Sequence, residues 1–125
     1  MSGNSEIVRD FVAACNANDL ERMLTFFDPE CVYHNIPLEP VSGIEGIRGV
    51  LAGFMGMAQK VDWVIHQLAE NAEGVVLTER TDRFLVGENW VELPVMGAFE
   101  LREGKIVGWR DYFDMKQFQS QLAGE

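Results

Sequence analysis

Histidine, cysteine and positive charge are all scarce in this chain, and each shortage removes a class of chemistry. Two histidines, His34 and His66, and two cysteines, Cys15 and Cys31, are spread over 125 residues. They form no cluster at metal-ligand spacing, and so few offer little support for a Ser-His or Cys-His nucleophilic arrangement. The cysteines permit one disulfide by arithmetic, but they sit in apolar stretches and make no disulfide framework. They read as buried free thiols. Glycine is plentiful, yet neither G-x-G-x-x-G nor G-x-x-x-x-G-K-[ST] occurs, so no phosphate-binding loop is expected. Ten Lys plus Arg stand against twenty Asp plus Glu, a net charge of -10. Such a surface repels phosphate backbones and anionic membranes, which argues against nucleic-acid and membrane partners. A small closed pocket is insulated from that surface, so a neutral ligand remains compatible with it. No bilayer-length stretch is free of charge. The opening MSGNSEIVRD lacks the basic start and apolar run of a signal peptide. A soluble, cytoplasmic protein is the expectation.

What is present is enough for one core. Hydrophobic residues make up 47% and charged residues 24%, which suits a single domain over residues 1–125 and leaves no room for two. Ile7, Val8, Phe11, Val12 and Cys15 recur at helical spacing and predict a helix over about 4–17. Leu20, Met23, Leu24 and Phe27 predict a second, capped by Asn18 with Glu21 and ended by Asp28-Pro29. A short extended stretch follows at 31–36. Ser42 and Glu45 suggest a capping box for a third helix over about 43–58. From residue 61 the period changes to two. Strands are expected from 61, over 75–85, over 90–101 with a bulge or bend at Pro94 and Gly97, and over 106–113. Arg102-Glu103-Gly104-Lys105 reads as a hairpin turn, and 115–122 as a terminal helix. This order is α+β: helices against one face of a mostly antiparallel, curved sheet. A curved sheet over helices makes a cone whose inside can be a pocket.

Several polar residues share strand faces with apolar ones. Arg80 and Asp82 lie on one face with Val76, Thr78 and Phe84. Parity alone does not say whether that face is inside, and a surface ion pair is the commoner meaning of such a pair. Trp109, Asp111 and Phe113 share a face, and a carboxylate between aromatics must be paired or serve chemistry if enclosed. Tyr33 and Asn35 share the face of the short strand and together offer donors and acceptors that can hold a water. His34 falls on the opposite face.

Four stretches, YHNIP (33–37), ERTD (79–82), WVELPVMGAFEL (90–101) and KIVGWRDYFD (105–114), make the sequence resemble the limonene-1,2-epoxide hydrolases. These lie within the fold group that is nuclear-transport-factor-2-like, ketosteroid-isomerase-like and SnoaL-like. The resemblance covers nearly the whole chain. It implies a cone-shaped, strongly curved mixed sheet packed against three or four helices around a deep apolar pocket. It also implies one-step, cofactor-independent opening of a neutral apolar epoxide by water, with no metal, and a homodimer. In its terms Asp111 activates the water, Tyr33 and Asn35 help hold it, Asp82 protonates the departing oxygen, and Arg80 stands between the aspartates. The familiar members carry a longer lead before the first helix, so pocket closure, and with it substrate size, is where this chain is expected to differ. The assigned chemistry is coherent. An epoxide oxygen leaves poorly unless protonated during C–O cleavage, and water attacks poorly unless a base takes its proton. Two other readings stay open. One is an isomerase or cyclase abstracting a proton from carbon, which needs one aspartate and a tyrosine but no water fixed by Tyr33, Asn35 and Asp111. The other is a noncatalytic small-molecule binding or dimerisation module, which needs the pocket but not the full Asp-Arg-Asp set.

Overall fold

The computed structural model describes residues 3–124. The first helix, α1 (Asn4–Asn16), buries Val8, Phe11, Val12, Ala14 and Cys15, the stripe its spacing requires. Asn18 then takes a left-handed backbone, φ 52°, and does not cap the next helix; its side chain donates to the Met55 carbonyl instead. Asp19 is the cap of α2 (Leu20–Leu24), accepting from the Arg22 N–H. Helix α2 stops well short of Pro29, and Phe27 opens strand β1 (Phe27–Asn35). Phe27 is buried as the helical pattern asked, but from a strand. Pro29 is tolerated there because the pairing of β1 skips from Phe27 to Val32, so the missing N–H costs no bond on that side.

Strand β2 (Val41–Ser42) is a two-residue addition that periodicity did not reveal. Helix α3 (Gly43–Met57) follows Ser42, but no capping box forms. The Ser42 side chain makes no capping bond, and Glu45 accepts from Arg48 instead. Four strands then run as meanders: β3 (Lys60–Glu70), β4 (Val76–Val86), β5 (Asn89–Arg102) and β6 (Lys105–Tyr112), closed by α4 (Met115–Leu122). Glu103 and Gly104 both have positive φ, 52° and 78°, as the two-residue turn between β5 and β6 demands.

The fold is α+β, a six-stranded mixed sheet in the order β2-β1-β6-β5-β4-β3 packed with four helices. Only β1 and β6 pair in parallel; the other neighbours are antiparallel. No bulge occurs at Pro94 or Gly97, because β4 and β5 keep one register from Val76↔Phe99 to Val86↔Asn89. Pro94 lies beyond the last β6 partner, Met96↔Tyr112, so β5 is an edge on that side and needs no donor. Besides the skip in β1, the irregularities fall between Ile65 and Gln67 and between Glu100 and Leu101. Cys15 and Cys31 are buried free thiols. Among the described residues no helix is long and apolar enough to cross a membrane.

Candidate active site

Alternation along β4 turns Val76, Thr78, Arg80, Asp82 and Phe84 inward. Arg80 is only 1% exposed, so the Arg80–Asp82 pair is a core feature and not the surface ion pair that parity allowed. The guanidinium uses all five of its N–H donors. Nε and Nη2 each meet one oxygen of Asp82 at 2.9 Å. Nη2 also reaches Asp111 Oδ2 at 2.8 Å, and Nη1 reaches Asp111 Oδ1 at 3.3 Å and Thr78 Oγ1 at 3.0 Å. The carboxylates, 4% and 3% exposed, are thus bridged by one cation.

Register explains how an arginine on β4 touches an aspartate on β6 with a strand between. Thr78, Gly97, Asp111 and Asn35 form one row across β4, β5, β6 and β1. At its centre a Cβ on Gly97 would stand 2.5 Å from Arg80 Nη1 and 2.6 Å from Asp111 Oδ1. Only glycine lets the two side chains meet above β5. The next row is aromatic: Phe99, Trp109 and Tyr33. Trp109 stacks on Tyr33 with ring centres 4.0 Å apart, and its indole N–H donates to Asp111 Oδ1 at 2.8 Å.

These rows end at a narrow, partly open cavity. Tyr33, Asn35, Asp82 and Asp111 supply its polar end. Phe54, Trp63, Phe84, Leu93, Val95 and Phe113 supply an apolar wall. That combination, an apolar lining with a few convergent polar groups, suits a small ligand. All five residues singled out in the sequence therefore converge, with Arg80 bridging the two carboxylates. Trp63, Trp109, Thr78 and Gly97 were not read as site residues. Trp109 was visible on the face of Asp111, and Gly97 was visible as a glycine within a strand, but a strand glycine signals a bulge as readily as a close approach. His34 contacts the Leu38 carbonyl and His66 the Thr81 hydroxyl, both away from the cavity lining.

Burial sets the electrostatics. It raises the Asp82 carboxyl to about 6 from 3.8; Arg80 pulls it back down and Asp111 pushes it up further. Burial also opposes the charge on Arg80, but Asp111 and Asp82 outweigh it and hold the guanidinium above its ordinary value. The Tyr33 phenol is raised by burial and then by Asp111, so it stays protonated. A cluster with both carboxylates ionised would carry one net negative charge in an apolar interior, and one retained proton makes it neutral.

Residues 2–123 match the family described as the limonene-1,2-epoxide hydrolase catalytic domain. The chain belongs to that family. It is 30% identical over 118 residues to epoxide hydrolase EphG of Mycobacterium tuberculosis, covering 94% of this chain and 78% of that protein. The solved structure of an LEH-like epoxide hydrolase of M. tuberculosis superposes with a TM-score of 0.81 at 28% identity, over 97% of this chain and 90% of that one. An epoxide hydrolase/cyclase-like enzyme, SalBIII, with a role in pyran ring formation in the polyether salinomycin, superposes at 0.82. Its identity is 18%, over 91% of this chain and 92% of that one, a likeness of fold alone. The family and its fold group thus include epoxide hydrolases and a cyclase-like enzyme.

Proposed function

We propose that this protein hydrolyses a small, predominantly apolar epoxide to a vicinal diol in one step, without a cofactor. One observation carries the reading: two buried carboxylates bridged by a single guanidinium at the polar end of an apolar cavity. The retained proton belongs on Asp82, whose carboxyl titrates near 6. Asp111 receives an extra donor, Trp109, that Asp82 lacks. Asp82 is then the acid that protonates the epoxide oxygen as the C–O bond breaks. Asp111 is the base that takes a proton from the attacking water, with Tyr33 and Asn35 holding that water from the adjoining strand. Arg80 bridges the two carboxyls while each keeps its own role. The proton lost to Asp111 and the proton given by Asp82 balance, so a proton returns to Asp82 before the next turnover.

Single turnover in oxygen-18 water tests the step. Direct attack puts the label in the diol and none in Asp111. Label in the protein carboxylate, with unlabelled oxygen in the first diol, would indicate an aspartyl ester and overturn the one-step reading. A ring-closed or isomerised product with no diol would favour cyclase or isomerase chemistry instead.

The same reading includes a homodimer. The outer face of the sheet exposes Leu77, Met96 and Tyr112, with Met96 and Tyr112 paired across β5 and β6. Such an apolar face is suited to a second copy. Light scattering over a concentration series checks it, and a persistent 14.1 kDa species would refute it.

A further inference from the structure

Trp63 carries the one buried side-chain polar atom among the described residues that has no hydrogen-bond partner, its indole N–H. The residue is 5% exposed and its side chain forms part of the cavity wall. It is firmly placed. Its backbone N–H donates to Asn16 Oδ1 at 2.7 Å and its carbonyl accepts from Asn16 Nδ2 at 3.2 Å, tying β3 to the end of α1. The Arg80 guanidinium lies 5.0 Å from the ring centre, and Asp82 is the cross-strand neighbour. The other buried tryptophan, Trp109, spends its N–H on Asp111. A buried donor left without an acceptor is costly, and native folds rarely keep one without cause. Phenylalanine at this position would supply the same kind of aromatic wall without an orphan donor.

We propose that Trp63 is a specificity-determining residue whose N–H donates to an oxygen of the bound substrate other than the epoxide oxygen. The preferred substrate is then an epoxide bearing a second acceptor, a carbonyl, hydroxyl or ether oxygen, on an otherwise apolar ring or chain. Describing the occupant as an epoxide rests on the function proposed above; the contact between the indole and an acceptor does not. Asp82 and Trp63 are cross-strand partners on β4 and β3, so one ligand in the cavity can reach the acid and the indole together. A plain hydrocarbon epoxide leaves the indole N–H unpaired and is disfavoured for that reason.

The test uses inert probes of one ring size, so it needs no turnover. Cyclohexane-1,4-dione offers one carbonyl to the polar end of the cavity and another to the indole; methylenecyclohexane offers neither. Trp63→Phe removes the donor and keeps an aromatic ring. It should weaken dione binding about tenfold and leave methylenecyclohexane within about twofold. Equal weakening of both probes with binding still measurable, or weakening of neither, overturns the proposal. If the variant binds neither probe, wild-type protein labelled with nitrogen-15 at the indoles decides. The Trp63 N–H resonance should move downfield with the dione and not with methylenecyclohexane, and an unmoved resonance at saturating dione overturns the proposal. Diol formation from cyclohexene oxide is followed separately. Its absence would sink the hydrolase reading while leaving the indole contact to stand or fall on the binding data.

Discussion

Strand β4 carries two arginines, Arg80 and Arg83, each ion-paired to an aspartate, on opposite faces of the sheet. Arg83 meets Asp62 at 2.6 Å and Glu92 at 3.5 Å, and lies over the Trp90 ring at 4.3 Å. Its side chain is 29% exposed, and its partners are more exposed still. Water screens that pair, so it adds little to stability. Arg80 has no such screening. Its side chain is fully buried between carboxylates that are nearly so, and every donor it owns is committed. The same two residue types, on one strand, thus give an ordinary surface contact on one side and a charge-balanced cluster on the other. Ion pairing does not distinguish them. The water each pair has lost does, and with it the freedom to titrate normally.

The largest expected effect is at Arg80. Arg80→Met leaves Asp82 and Asp111 buried without their cation, and breaking a buried pair from one side costs about 3–5 kcal/mol. Chemical denaturation should show that loss, and diol formation should vanish with it. If Arg80→Met proves as mild as Arg83→Ala, the contrast between the two faces is wrong.

Next come the carboxyls themselves. Asp111→Asn keeps the shape and loses the base; Asp82→Asn keeps a hydrogen bond and loses the transferable proton. Each should lower turnover by about 100-fold or more if proton transfer is essential. Gly97→Ala probes the same cluster from below. Its Cβ would stand within 2.6 Å of both Arg80 and Asp111, so the two side chains must part. Overpacking of this kind costs about 1–3 kcal/mol, and misplacing a catalytic group costs about 100-fold in rate. A Gly97→Ala protein with normal kinetics would show that the Arg80–Asp111 contact is dispensable.

The pH dependence sharpens the comparison further. Asp82 titrates at about 6 in the fold against 3.8 ordinarily, so the folded chain binds this proton more tightly than the unfolded chain does. The stabilising contribution is complete below about 3.8 and is lost as pH rises through about 6. Wild type should therefore lose stability relative to Asp82→Asn between pH 4 and pH 8, by on the order of 3 kcal/mol. Denaturation curves of the two proteins at both pH values measure it, and a gap that does not change with pH would mean that Asp82 keeps an ordinary carboxyl. For catalysis, kcat/KM should fall along an alkaline limb beginning near 6 as the acid loses its proton.

The smallest effect is at the surface pair. Arg83→Ala should change stability by less than about 1 kcal/mol and leave the rate unchanged. A larger loss would point to the Trp90 ring, since a long side chain can pack as well as pair.

Much of this was legible in the residues. The change of period at residue 61 marks where the long strands begin, and Val76 to Phe84 alternate as expected. The hairpin at Glu103-Gly104 follows from turn chemistry alone. The failures are local contests that neighbours decided. Phe27 fits a helical stripe, yet it pairs with Ile106 and belongs to a strand. Asn18 and Asp19 are both good caps, and the one not needed at Met55 took the role.

The sequence by itself determined which residues share a face: Arg80 with Asp82, Trp109 with Asp111, Tyr33 with Asn35. That follows because strand alternation is a property of one strand and needs no partner. Tertiary packing alone turned all three faces toward one cavity, made Gly97 the gap through which Arg80 reaches Asp111, and left the Trp63 indole N–H buried without a partner. Those facts depend on register between strands far apart in the chain and on how much water the packing removes. The raised Asp82 carboxyl has the same origin: an aspartate in ERTD is ordinary until its neighbours desolvate it.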